Sequence, residues 1–239
     1  MTQNRIALVT GANKGIGFEI ARRLAGAGVH VYLGSRDPDR GRAAVVALAA
    51  SGLTVEALPL DLTDTASIGA AAARIADQQG KLDILVNNAG IFDFSDGAPG
   101  KASVDAVRRV MEVNFIGARA VTQDMLPLLR AAPSARIVNL ASSLGSLTLN
   151  ADPSSTYYAQ RYIGYNAAKA ALNMLTIQLA EELRDTRISA HSVSPGFVKT
   201  DLTGYGTMTP EEGARLPVLY ALGDMPSGQF VEPDGTTPW

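Results

Sequence analysis

Tyr165 and Lys169 lie four positions apart in a helix-like stretch and could exchange a proton with a bound ligand. In a helix this spacing puts both side chains on one face, one turn apart. A cation beside a phenol favours the phenolate and lowers the phenol's pKa from about 10. Such a tyrosine can exchange a proton with an alcohol or carbonyl oxygen near neutral pH. A packed tyrosine beside a solvated lysine would show the same spacing, so the pair needs support from other parts of the chain.

A glycine cluster stands between the first strand-like run and the helix-like run that follows it. Glycine lets the chain turn tightly and lets a phosphate approach backbone N–H groups, and a helix start adds partial positive charge. The spacing G-x-x-x-G-x-G differs from the common G-x-G-x-x-G, and a plain tight turn would also use glycine. The position between strand and helix favours a dinucleotide site. The residues predicted to hold the dinucleotide here are Gly11, Asn13, Lys14, Gly15, Ile16 and Gly17.

The end of the second strand-like run indicates which nucleotide fits. NAD sites usually carry an acidic residue there, which binds the ribose 2′-hydroxyl. Here the run ends in Arg36, whose guanidinium offers forked donors and a fixed charge to a 2′-phosphate. Lys14 would add a second cation, whereas Asp37 weakens the argument, and both bases could be ordinary surface residues. Charge complementarity favours NADPH/NADP+ over NAD.

Strand-like and helix-like segments alternate along the chain and must position these residues. Near-continuous apolar runs are typical of parallel strands buried on both faces, and they occur at 5–10, 29–34, 54–60, 82–88, 135–141 and 187–193, with a late strand at 229–232. Helices are predicted at 15–27, 38–50, 64–79, 103–130 and 157–184, and a capping box at 209–212 predicts a short one. The alternation predicts a single α/β domain, residues 1–239. Its Rossmann-type, doubly wound parallel sheet would have about seven strands and helices on both faces.

Composition excludes several classes of protein. The 239 residues include no cysteine and two histidines, which excludes thiolate catalysis and leads us to expect no metal site. A net charge of −2 gives no basic footprint for nucleic acid, and an apolar content of 46% argues against disorder. The sequence shows neither an apolar run of membrane-spanning length nor a secretory signal. We therefore expect a soluble, cytoplasmic protein.

Together the motifs resemble those of the short-chain dehydrogenase/reductase family. They occur in order along nearly the whole chain, at 10–17, 61–62, 87–90, 114, 142–143, 165–169 and 195–196. In typical members the serine lies closer to the tyrosine than the 22 positions that separate Ser143 from Tyr165. The extra length, 144–164, and the C-terminal stretch 228–239 resemble the carbonyl-reductase branch. Because this insertion could cover surfaces used for assembly, we leave monomer and homo-oligomer open.

The resemblance implies four catalytic residues. Tyr165 would donate the proton, and Lys169 would bind the nicotinamide ribose and lower the pKa of Tyr165. Asn114 would fix a water in a proton relay through its helix backbone. Ser143 would hydrogen-bond the substrate carbonyl and stabilise the charge that develops there; it is chosen over Ser142 because the second serine of such a pair is usually the catalytic one.

The resemblance also implies the remaining cofactor contacts. Two residues after the third strand would hold the adenine, three after the fourth would lie near the adenosine ribose, and three after the sixth would frame the nicotinamide. A threonine further on would touch the pyrophosphate or the carboxamide. In that order they are Asp61 and Leu62; Asn88, Ala89 and Gly90; Pro195, Gly196 and Val198; and Thr200.

Three loops beyond the carboxyl ends of the strands, 91–100, 144–164 and 197–209, are rich in apolar and aromatic residues. They predict an apolar pocket for a medium-sized carbonyl compound. The leading hypothesis is therefore an NADPH-dependent carbonyl reductase. The alternatives are an NADP-dependent alcohol dehydrogenase acting in the oxidative direction and a non-catalytic NADP-binding sensor.

Overall fold

The computed structural model describes residues 5–239, and within them eight strands form one sheet. The strands are β1 Ile6–Val9, β2 His30–Ser35, β3 Val55–Pro59, β4 Ile84–Asn87, β5 Ala135–Leu140, β6 Ile188–Val193, β7 Gln229–Glu232 and β8 Gly235–Thr236. Their order in the sheet is β3-β2-β1-β4-β5-β6-β7-β8, with parallel pairing from β3 through β7 and antiparallel pairing of β8 with β7. The predicted doubly wound α/β fold is confirmed, and the two-residue β8 extends the sheet beyond the predicted strands.

Helices cover both faces of the sheet. They are α1 Gly15–Gly26, α2 Pro38–Ala49, α3 Thr65–Gln79, α4 Val104–Met111, α5 Ala118–Ala131, α6 Leu147–Ala151, α7 Ile163–Glu182, α8 Pro210–Gly213 and α9 Arg215–Leu222. In β1, Ile6 and Leu8 join the buried apolar cluster that includes residues of α3, α5 and α7. Ala7 and Val9 join the opposite cluster, with residues of α1, α2 and α9. Burial on both faces explains why this strand reads as a continuous apolar run.

The predicted helix at 103–130 is divided by a π-helical turn, Glu112–Gly117, which lies between α4 and α5. Such wide turns are rare and are found frequently at functional sites. The capping box is present at α8, where the Thr209 side chain accepts from Glu212 N at 3.2 Å and Thr209 N donates to the Glu212 carboxylate at 2.8 Å. The sequence pattern did not predict α9.

The predicted helix at 157–184 begins later, at Ile163, and 157–162 form turns and irregular structure. Tyr162 has a non-helical backbone, with φ −121° and ψ 85°. The first N–H groups of α7 are bonded to a distant loop, Ile163 N to Gly97 O at 2.9 Å and Gly164 N to Asp96 at 3.0 Å. This tertiary cap sets the helix start, which local sequence could not show.

Strand β1 lies between β2 and β4, so the chain leaves β1 and β4 in different directions at their carboxyl ends. Open α/β sheets bind ligands in the crevice that such a switch point creates. A buried polar chain crosses the sheet nearby. Asn87 Nδ2 donates to Asn139 Oδ1 at 2.8 Å, and Asn139 Nδ2 donates to Thr176 Oγ1 in α7 at 2.8 Å. Because unpaired buried amides are costly, this chain fixes α7 relative to β4 and β5.

Candidate active site

The glycine loop after β1 packs directly against the chain that leaves β4. A Cβ at Gly17 would lie 2.3 Å from Asn88 Nδ2 and 2.7 Å from Gly11 O, so no side chain fits there. Asn88 Nδ2 donates to Thr10 O at 2.8 Å, and Thr10 Oγ1 accepts from the backbone N–H of Ala89 at 2.9 Å. These bonds hold the two loops of the switch point together as one cradle.

The start of α1 suits a phosphate. Lys14 occupies the N-cap position without a side-chain cap, and Gly15 begins the helix with φ +59°, which favours glycine. The first backbone N–H groups therefore lie uncapped at a cavity that Gly15, Ile16 and Gly17 line. Uncapped helix starts bind anions through these groups and the helix dipole. The local geometry accordingly fits the pyrophosphate of a dinucleotide.

A cavity of about 700 Å³ runs along this crevice. It brings together most of the residues predicted to bind a cofactor: Gly11, Asn13, Lys14, Gly15, Ile16, Gly17, Arg36, Asp61, Leu62, Asn88, Ala89, Gly90, Tyr165, Lys169, Pro195 and Thr200. Four predicted site residues do not line it. They are Asn114, Ser143, Gly196 and Val198, of which Val198 is buried and forms a bridge with Met208.

One end of the cavity is rich in cations. Arg36 is exposed and has no ion-pair partner within residues 5–239. Arg40 lines the same end and pairs with Asp37 at 3.3 Å. Lys14, the predicted second cation, pairs with Asp201 across the cleft at 2.9 Å. Sequence reasoning missed Arg40, although its position one turn after Arg36 at the start of α2 could have indicated it.

Tyr165 and Lys169 lie at the other end, on the face of α7 that meets β5. Lys169 Nζ donates to Leu140 O at 2.6 Å and lies 5.6 Å from the centre of the Tyr165 ring. Burial lowers the pKa of Lys169 to about 8, because the charged ammonium loses water. Burial likewise raises the pKa of Tyr165 to about 12. The expected lowering of this pKa is therefore reversed, since desolvation of the phenolate outweighs the stabilising contacts, and Tyr165 keeps its proton at neutral pH.

The two serines after β5 face different partners. The Ser142 hydroxyl faces Tyr165 and lowers its pKa, which partly offsets the rise that burial causes. Ser143 is buried, and its hydroxyl donates to the Glu232 carboxylate at 2.5 Å. The backbone at Ser142 is extended, with φ −158° and ψ 145°, and successive side chains of an extended chain point to opposite sides. In this structure the serine that faces Tyr165 is therefore Ser142, whereas the predicted Ser143 faces Glu232.

Asn114 lies in the π-helical turn and is 1% exposed. Its Oδ1 accepts from Ile91 N at 2.7 Å, and its Nδ2 donates to Ile91 O at 2.9 Å. Both ends of the amide are thus used to tie the helix to the loop after β4. The side chain does not line the cavity, so any effect on a ligand is exerted through the backbone that it holds.

An aromatic cluster forms the wall of the cavity beside Tyr165. The Phe92 ring lies 5.7 Å from the Tyr165 ring, 5.1 Å from that of Tyr162 and 5.4 Å from that of Phe94. Phe92 and Phe94 line the cavity, and Phe94 is 78% exposed at its rim. The predicted loop 91–100 therefore supplies apolar surface beside Tyr165.

The insertion 144–164 is attached to the end of the sheet through side chains that sequence reasoning did not single out. Tyr157 OH donates to the Glu232 carboxylate at 2.9 Å, and Thr148 Oγ1 donates to Trp239 O at 2.7 Å. The Trp239 ring stacks on Phe230 of β7 at 5.3 Å. No motif marks these pairs, because their partners are 75 to 91 positions apart.

Residues 5–239 contain no group of three or more His, Cys, Asp or Glu side chains placed to hold a metal ion. In the same part of the chain, no helix combines the length and apolar character that crossing a bilayer requires.

Comparison with known proteins identifies the family of the chain. Residues 5–209 match the model of the short chain dehydrogenase family. Carbonyl reductase (NADPH) 1 of Mus musculus is 34% identical, with 98% of each chain covered, and (+)-neomenthol dehydrogenase of Arabidopsis thaliana is 35% identical, with 95% of each covered. The solved structure of NADPH-bound carbonyl reductase from chicken fatty liver superposes with a TM-score of 0.85 at 32% identity over 99% of each chain. The chain belongs to the short-chain dehydrogenase/reductase family, as the sequence motifs predicted, and resembles its carbonyl-reductase branch.

Proposed function

We propose that this protein reduces a ketone or aldehyde to an alcohol with NADPH, and that Tyr165 donates the proton. The observation that carries the proposal is the position of Tyr165, with Lys169 Nζ 5.6 Å from its ring centre, at the end of a cavity whose other end has an uncapped helix start and two arginines. The similarity to carbonyl reductases that use NADPH supports the same reaction and cofactor.

NADPH, when bound, supplies the hydride that the carbonyl carbon accepts. We assign its pyrophosphate to Gly15–Gly17 at the start of α1, and its 2′-phosphate to Arg36 and Arg40. Asp61 and Leu62 would contact the adenine, and Asn88, Ala89 and Gly90 the adjoining ribose. Pro195, Gly196, Val198 and Thr200 would frame the nicotinamide end, although Gly196 and Val198 could do so only through the loop they shape.

The protein's own groups handle the proton and the developing charge. As the carbonyl carbon takes the hydride, its oxygen takes the proton of Tyr165 OH and becomes the alcohol oxygen. Ser142 replaces Ser143 as the residue that donates to this oxygen, because it is the serine in contact with Tyr165. Lys169, fixed by its bond to Leu140 O, supplies a positive charge that stabilises the phenolate left behind. Asn114 would support proton return through the π-helical backbone.

The substrate proposal is an apolar, medium-sized carbonyl compound, since Phe92 and Phe94 form the wall beside Tyr165. The same proton transfer run in reverse would oxidise an alcohol, so the direction is assigned from the similarity to carbonyl reductases that use NADPH. A non-catalytic sensor would not need Ser142, Tyr165 and Lys169 arranged in contact. The proposal retains the predicted cytoplasmic location, which cell fractionation would test.

The direct test follows loss of reduced-nicotinamide absorbance with a panel of aryl and aliphatic ketones and aldehydes, with NADPH and NADH in parallel. We expect turnover with NADPH, little with NADH, and the highest kcat/KM for apolar carbonyls that fit the aromatic wall. Comparable turnover with NADH would overturn the cofactor assignment alone. Tight NADPH binding without turnover of any carbonyl would overturn the proposed reaction.

A further inference from the structure

We propose that Asp96 is a positioning residue, which fixes the backbone of Tyr165 against the loop that forms the substrate wall. This inference rests on the proposed function of Tyr165. The Asp96 carboxylate accepts from the backbone N–H of Tyr165 at 2.8 Å with one oxygen, and from that of Gly164 at 3.0 Å with the other. Both partners are about 70 positions further along the chain.

Helix α7 has no cap of its own. Tyr162 stands at the N-cap position without a side-chain cap, and Ile163 N donates to Gly97 O at 2.9 Å. The first three backbone N–H groups of α7 are therefore all bonded to two consecutive residues of the loop 91–100. Helices leave such groups unsatisfied unless a cap is supplied, and a carboxylate is the favoured charge at this end. The cap of the catalytic helix is thus tertiary, whereas α3 takes its cap from the adjacent Asp64.

Close packing at Gly164 makes the contact possible. A Cβ at this position would lie 3.0 Å from Val107 Cα and 3.1 Å from Asp96 Oδ2, so a larger residue would displace the carboxylate or α4. The loop also touches Tyr165 through its side chain, because Phe92 lies 5.7 Å from the Tyr165 ring. In the same loop, the Asp93 carboxylate accepts a hydrogen bond from Arg109 of α4 at 2.7 Å. The loop is therefore attached to α4 at Asp93 and to α7 at Asp96 and Gly97.

These contacts couple the position of the proton donor to the position of the substrate wall. Both oxygens of the Asp96 carboxylate accept from backbone N–H groups of α7, so Asp96 acts through Tyr165 and not on a ligand. Misplacing a reacting group by about 1 Å can cost on the order of 10²-fold in rate. Loss of the cap should therefore lower kcat, while the distant glycine loop continues to bind NADPH normally.

The test compares Asp96→Ala with Asp64→Ala, which removes the local cap of α3, where Asp64 Oδ1 accepts from Ala66 N at 2.9 Å. Both variants should lose thermal stability, and Asp96→Ala should lose more, because Asp96 accepts from Gly97, Gly164 and Tyr165 whereas Asp64 accepts from Ala66 alone. Asp96→Ala should lower kcat roughly 10- to 100-fold, with the NADPH Kd within about twofold of the wild type. Asp64→Ala should leave kcat within about twofold, and Asp96→Asn, which keeps one acceptor oxygen, should fall between Asp96→Ala and the wild type.

Backbone amide exchange provides a readout that does not depend on turnover. Exchange of the amides of 163–165 should quicken in Asp96→Ala and stay unchanged in Asp64→Ala. Unchanged exchange at 163–165, or a kcat of Asp96→Ala within about twofold of the wild type, would overturn the positioning role. If the wild type reduces no carbonyl, the proposed function fails, and the exchange measurement still decides whether Asp96 holds Tyr165.

Discussion

The two ends of the cavity are built in different ways. The cofactor end consists of short contiguous segments at strand ends, in which backbone groups and glycines do most of the binding, as at Gly15 and Gly17. The catalytic end is assembled from side chains far apart in the chain, as in the contact of Asp96 with α7 and of Ser142 with Tyr165. Substitutions at the catalytic end should therefore change kcat, whereas those at the cofactor end should change binding.

The largest effect on kcat is expected for Tyr165→Phe, which tests most directly whether catalysis and cofactor binding belong to different ends of the cavity. Tyr165→Phe removes the proton donor and leaves the ring's contact with Phe92 and the fold of α7 intact. We expect kcat to fall by roughly 10²- to 10⁴-fold, because the carbonyl oxygen then has no acid beside it. The Kd of NADPH, measured by nicotinamide fluorescence, should change by less than about threefold. Retained turnover would refute the assigned acid role and with it the functional division of the cavity.

The second prediction compares Ser142→Ala with Ser143→Ala. Ser142→Ala should lower kcat by roughly 10²-fold, the usual scale for losing one donor to a developing oxyanion. Ser143→Ala should lower kcat less and should instead reduce the free energy of unfolding by about 1 kcal/mol, since the Glu232 carboxylate loses a partner. Steady-state kinetics of both variants show which serine assists catalysis, and their thermal unfolding shows which one stabilises the fold. The reverse order of kcat losses would restore Ser143 to the catalytic role.

The same contrast explains what could be predicted from sequence. The glycine loop and Arg36 are local motifs next to strands whose apolar runs are continuous, so the fold and the cofactor end follow from short stretches of chain. Ser142 and Ser143 could not be distinguished, because adjacent residues of an extended chain face opposite ways and sequence does not show which side α7 occupies. The role of Asp96 leaves no trace at all, since its partners are set by tertiary packing.

The lowering of the Tyr165 pKa expected from sequence is not found, for a related reason. Spacing alone indicates a cation near the phenol, but the depth of burial decides the sign of the shift. Lys169 Nζ is used by Leu140 O and lies 5.6 Å from the ring centre, so desolvation prevails. Burial of a side chain depends on the whole fold, and a two-residue motif carries no information about it.

The third prediction concerns the cofactor end. Arg36→Leu should raise the KM for NADPH by roughly 10- to 100-fold, which corresponds to losing one or two charge-assisted hydrogen bonds. The KM for NADH and the kcat with saturating NADPH should change little. Arg40→Leu should have a smaller effect, because Arg40 is already paired with Asp37. Equal rises for NADPH and NADH in Arg36→Leu would show that Arg36 does not contact the 2′-phosphate.

The smallest effect is the pH dependence, and it tests whether both buried groups act as assigned. Reduction needs Tyr165 protonated, and its pKa of about 12 leaves it protonated throughout the range in which the enzyme can be assayed. Lys169 has a pKa lowered to about 8, so its positive charge is present below that pH and is lost as pH rises through it. The kcat should therefore be flat between about pH 6 and 7 and fall severalfold between about pH 8 and 9. Stopped-flow hydride transfer at saturating NADPH measures this directly. A profile that stays flat through pH 9 would mean that the charge of Lys169 does not assist the step, and its role would then be confined to holding the helix against β5 through Leu140 O.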